Sequence, residues 1–73
     1  MKLLVEKSFL VNNGFWQGSY TTIWYNPNLD FGILPVAWPE KTNDGWIEFA
    51  GEKIKIVKNE EEILKLLKNE SSN

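Results

Sequence analysis

The chain contains no cysteine, no histidine and no arginine. Without cysteine there is no disulfide framework, no thiolate nucleophile and no zinc ribbon. Without histidine the commonest general base near neutral pH and the usual imidazole metal ligand are both missing. Neither a Ser-His-Asp nor a Cys-His mechanism can be assembled from these residues. Only carboxylates, lysines and hydroxyls remain for chemistry. Two carboxyls about 5 Å apart would suffice for a retaining glycosidase. Such an enzyme also needs a cleft that holds and distorts a sugar, and 73 residues leave little core to build one. Asp30, Glu40 and Asp44 are the acids with the least evident structural duty, although Asp44 precedes Gly45 in a turn and Asp30 can cap the loop before Phe31. No two of them have a spacing that implies a shared site. The reading is non-enzymatic, with no catalytic residue, no metal site and no cofactor.

The missing arginine bears on nucleic acid. Arginine reads guanine and phosphate with two parallel hydrogen bonds, and a basic cluster is the usual footprint of such binders. Here all eight basic residues are lysines, scattered along the chain and outweighed by ten acids, for a net charge of −2. An acidic mimic of DNA is equally ill-matched, because only Glu60-Glu61-Glu62 forms a run. Long apolar runs are missing too. The opening Met1-Lys2-Leu3-Leu4-Val5 stops at Glu6 and Lys7, short of the roughly 7–15 apolar residues of a signal peptide. No stretch approaches a membrane span. The expected address is the cytoplasm, or the host cytoplasm for a phage- or virus-encoded chain.

What the sequence does hold is apolar surface. Hydrophobic residues make up 42% and aromatics 14%, with four Trp, four Phe and two Tyr. That is too apolar for disorder. A chain of this size buries about 60% of its surface on folding, so the core of the single domain expected over residues 1–70 is thin.

Turn residues punctuate the chain at short intervals: Asn12-Asn13-Gly14, Asn26-Pro27-Asn28, Pro39 through Gly45, and Ala50-Gly51-Glu52. Strand-like runs lie between them. A two-residue turn at Asn13-Gly14 predicts a hairpin that places Leu3 opposite Trp24, Val5 opposite Thr22, Lys7 opposite Tyr20, Phe9 opposite Gly18 and Val11 opposite Trp16 on one face. Glu6 with Thr21 and Ser8 with Ser19 fall on the other. A second hairpin with Gly51 at the first turn position sets Phe49 against Ile54, Ile47 against Ile56 and Glu48 against Lys55. It leaves Trp46 and Val57 on an outer face for a helix to cover. That helix spans 60–69. Asn59 is its N-cap, Glu62 completes a capping box, three acids lie at its N-terminus, and Ile63, Leu64, Leu66 and Leu67 form an apolar stripe. Residues 71–73 are a frayed tail.

Between the hairpins, Phe31-Gly32-Ile33-Leu34-Pro35-Val36-Ala37-Trp38-Pro39 is apolar on both faces. Such a strand is normally buried on both, yet Pro35 lacks an N–H and so assigns it to an edge or a bend. The predicted fold is mostly β: a five-stranded antiparallel sheet, or a partly open small barrel, with a C-terminal helix. Five short strands followed by a helix resemble SH3-type small barrels, a likeness carried by strand count alone.

An edge strand with two apolar faces is also a docking surface. Leu34, Val36 and Trp38, with Trp46, Tyr25 and Phe15, are the expected partner-binding residues, since aromatic anchors are enriched at interface hot spots. The functional expectation is a protein-binding module, a small inhibitor or an accessory subunit, engaging another protein or a second copy of itself. The alternatives are a nucleic-acid-binding barrel that stacks bases on Trp and Tyr, which the acidic balance disfavours, and a barrel whose mouth holds a small molecule between Trp24 and Trp38.

Overall fold

In the computed structural model, which describes residues 2–18, 22–39, 41–42 and 44–71, the Asn13-Gly14 step ends a helix instead of turning a hairpin. Helix α1 spans Lys7–Asn12. Gly14 takes a φ of +88° just past its end. The Phe15 N–H donates to the Leu10 carbonyl at 2.9 Å and the Gly14 N–H to the Val11 carbonyl at 3.1 Å. This is a Schellman cap, and its usual hydrophobic contact is supplied by Phe15 and Leu10, both buried in one cluster. The expected first hairpin is therefore replaced. Leu3 bridges Val36 instead of Trp24, and Trp16 pairs with Tyr25 instead of Val11. The expected pairs at Ser19, Tyr20 and Thr21 fall outside the described residues, as do Glu40 and residues 72–73 of the tail.

Five strands follow: β1 (Trp16–Gln17), β2 (Trp24–Tyr25), β3 (Gly32–Leu34), β4 (Trp46–Phe49) and β5 (Glu52–Ile56). They form one open sheet in the order β1-β2-β3-β5-β4, and helix α2 (Glu60–Ser71) closes the chain. The five-stranded sheet and C-terminal helix are those expected, but the sheet is mixed. Three pairings are antiparallel, while β3 and β5 run parallel, with Gly32 beside Ile54 and Leu34 beside Ile56. The chain leaves β3, crosses to the outer edge as β4, and returns by a hairpin to insert β5 between them.

That insertion makes β3 central and corrects its expected edge position. Pro35 sits one residue beyond the strand, where only a carbonyl is called on: its oxygen accepts the Leu4 N–H at 2.8 Å. The missing N–H therefore costs no ladder bond. With partners on both sides and cores on both faces, β3 is buried throughout. On one face Trp24 and Ile33 pack with Val5, Leu10, Phe15, Leu29, Val57 and the Ile63 of α2. On the other, Ile23, Leu34, Val36, Ile54 and Ile56 form a second cluster, flanked by Leu3, Tyr25, Trp38 and Ile47. Two small cores thus absorb the branched-chain surplus, each fully buried aliphatic contributing about 1.5–3 kcal/mol of transfer energy.

The second hairpin forms with its register shifted by two residues. Ile47 faces Ile54, Glu48 faces Lys53 and Phe49 faces Glu52, so the turn is Ala50-Gly51. Both turn residues have positive φ, +54° and +82°, the signature of a type I′ turn. Asn59 caps α2 as expected, its Oδ1 accepting the Glu62 N–H at 2.9 Å. No helix among the described residues is long and apolar enough to cross a membrane.

Candidate functional site

One end of the sheet gathers the start of β1, the β2–β3 loop and the β4–β5 turn. The local architecture there is set by Tyr25. Its ring lies between two glycine backbones. A Cβ on Gly32 would stand 2.9 Å from Tyr25 Cε1 and 2.9 Å from Ile23 Cγ2, and a Cβ on Gly18 would collide with the ring outright. Bare backbone at both positions is what lets the phenol cross β3 and reach β5. There its hydroxyl donates to Glu52 Oε2 at 2.9 Å, a charge-assisted bond.

Trp16, the ladder partner of Tyr25, extends this aromatic floor. The two ring centroids lie 6.3 Å apart with planes inclined at 31°, within the range of attractive ring pairs. Trp16 remains 51% exposed, the most exposed aromatic among the described residues. The opposite wall is the 26–31 loop. It is held by Asn26, which is 2% exposed: its Nδ2 donates to the Asn13 carbonyl at 2.9 Å and its Oδ1 accepts the Asn28 N–H at 2.9 Å. The loop is thereby tied to the C-terminus of α1. Phe31 completes the wall and meets Trp46 edge-on at 4.8 Å.

The groove is open to solvent and measures about 420 Å³, within the roughly 300–1,000 Å³ usual for ligand sites. Its rim carries Asp30, Glu52 and Lys53. A second hollow, about 740 Å³, runs along residues 2–7 beside Glu60. It is shallow and carries charges of both signs with no aromatic ring, so it offers no comparable anchor.

Of the six residues expected to form a docking patch, the structure brings only Tyr25 to this groove. Leu34, Val36 and Phe15 are core residues, with exposures of 3%, 0% and 4%. Their assignment to a surface patch is overturned by the central position of β3 and by the Schellman contact. Trp38 is half-buried against the second core. Trp46 is half-buried between the Phe31 edge and the Lys55 ammonium, which lies 5.4 Å from its ring centre. The expected sandwich of Trp24 and Trp38 does not form either, since Trp24 belongs to the helix-covered core and Trp38 to the opposite one. Among the candidate acids, Asp30 reaches the groove, whereas Asp44 is a turn residue: its Oδ1 accepts the Trp46 N–H at 3.1 Å and its carbonyl accepts Lys55 Nζ at 2.9 Å.

Sequence reasoning missed Trp16, Phe31 and Glu52. The available signal was the pair of glycines Gly18, just past β1, and Gly32, in β3, which mark close approach of a large side chain; nothing in the sequence singles out Glu52. No group of three carboxylates converges as a metal site among the described residues. No family model, curated protein or solved structure matches this chain.

Proposed function

We propose that this chain is a non-catalytic protein-binding module whose docking site is the aromatic groove at the end of the sheet. The observation that carries the reading is the half-exposed Trp16, packed beside a Tyr25 ring that two glycines and Glu52 fix in place. A large aromatic kept at the surface on a rigid support has the character of an interface hot spot. Rigidity matters because a preformed site loses little conformational freedom when a partner docks. The rim supports a protein partner over nucleic acid. Asp30 and Glu52 stand there against the single ammonium of Lys53, and that balance repels phosphate.

Affinity capture with purified chain, compared across two variants, tests the reading. The wild type and Val11→Ala, which alters an exposed residue of α1 (60% exposed), are expected to retain the same partner. Trp16→Ala is expected to lose it, with affinity reduced by about 2 kcal/mol or more, as at a hot spot. Equal retention by Trp16→Ala would remove the groove from consideration.

A further inference from the structure

The chemistry of the groove is that of a cation site. An indole is the strongest aromatic surface for a positive charge, and Trp16, half exposed, lines the groove. The Glu52 carboxylate lines the same groove on the far side of the Tyr25 ring, oriented by the Tyr25 hydroxyl at 2.9 Å. A carboxylate has about four acceptor positions, so one bond from Tyr25 leaves capacity for a ligand. Asp30 adds a second negative charge on the rim, and the one cation there, Lys53, has Glu48 as its ladder partner.

We infer that the groove takes the guanidinium of an arginine on a partner protein, stacked on Trp16 and hydrogen-bonded to Glu52. This rests on the docking reading given above and names the chemistry that docks. Guanidinium suits the arrangement better than ammonium for two reasons. It is flat and weakly hydrated, so it stacks on an indole with little loss of solvation, and its fork of N–H donors reaches a carboxylate at the same time. The chain's own composition then sets the partner. All its basic residues are lysines, so a groove selective for guanidinium discriminates against a second copy of the same chain. The occupant is an arginine-bearing segment of a different protein.

The test uses three blocked pentapeptides, identical except for a central arginine, citrulline or lysine, titrated into isotope-labelled protein by NMR. Citrulline keeps the shape and loses the charge. The arginine peptide is expected to move the Trp16 indole N–H resonance and to bind roughly tenfold more tightly than the citrulline peptide. It should also outbind the lysine peptide, and Glu52→Gln should cut its affinity severalfold. Equal binding of arginine and citrulline overturns the inference, as does equal binding of arginine and lysine. Shifts centred on Trp38 or Trp46 with Trp16 unmoved, or no shift up to roughly 20 mM peptide, overturn it too. Equal binding across the peptides concerns the ligand chemistry alone, whereas capture of a partner unaffected by Trp16→Ala fails the docking reading itself.

Discussion

At the scale of single residues, the informative positions are those where a side chain is held against its intrinsic preference. Ala50 is the clearest. It is the one non-glycine residue with positive φ among the described residues, at +54°, a conformation that costs an L-residue about 1–2 kcal/mol. It tolerates that strain because the type I′ turn matches the twist of β4 and β5. Asparagine occupies this region more readily, so Ala50→Asn is expected to stabilise the protein by about 0.5–1 kcal/mol and raise Tm by about 2–6 °C. Thermal unfolding by circular dichroism measures it, and an unchanged or lower Tm would contradict the turn assignment. A turn with Gly51 at its first position, the reading the sequence suggested, would place position 50 in extended backbone and give no such gain. The sequence permits both turns, because Ala-Gly and Gly-Glu each contain the one residue that accepts positive φ freely.

At the scale of elements, the same ambiguity explains what was legible and what was not. The C-terminal helix was readable because its signals are local and agree: the Asn59 cap, the three acids behind it and the spacing of Ile63 and Leu67. The first hairpin failed because Asn-Gly serves a type I′ turn and a Schellman cap equally well. The deciding feature is Leu10. As a strand residue it points with Glu6 and Ser8 to the polar face. In the last turn of α1 it closes on Phe15, where it is fully buried. For the 31–39 segment, two apolar faces did indicate double burial, and Pro35 misdirected the placement. A proline one residue beyond a strand end is invisible to a rule about proline within strands. The site was less legible, since Tyr25, Trp16 and Glu52 come from three elements and meet only after β5 inserts beside β3. Gly32 joins those elements, and its environment gives a sharp expectation. Gly32→Ala must displace the Tyr25 ring, Ile23 or Ile54, the last 3.1 Å from the added methyl. Overpacking of this kind costs about 1–3 kcal/mol. Chemical denaturation should show that loss with an unchanged m-value, and a neutral Gly32→Ala would mean the ring does not lie where the groove requires.

At the scale of the whole molecule, the surplus of apolar side chains is resolved by division. One core lies under the two helices and another on the opposite face of β3, so most branched-chain residues are hidden without a partner. Among the described residues, what stays outside is dispersed over different elements: Leu4, Val11, Trp16, Phe49 and Leu64. Trp16 lies in the aromatic groove, whereas Leu4 lines the shallower hollow beside Glu60. Stability depends on α2 covering its side of the sheet. Ile63→Ala, at a fully buried site, is expected to cost about 2–5 kcal/mol, against a total near 4–11 kcal/mol for a chain this long. Leu64→Ala, at a neighbour 48% exposed, should cost under about 0.5 kcal/mol. Urea titration of the two variants checks the contrast, and comparable losses would show that α2 docks through another face.

All of the functional reading depends on a groove floor formed before any ligand arrives, with Tyr25 clamped between two backbones and handed on to Glu52. Nuclear Overhauser contacts in the free protein test this most directly. Cross-peaks are expected from the Tyr25 ring protons to the α-protons of both Gly18 and Gly32, together with contacts between the Tyr25 and Trp16 rings. A spectrum in which the Tyr25 ring touches neither glycine would contradict it.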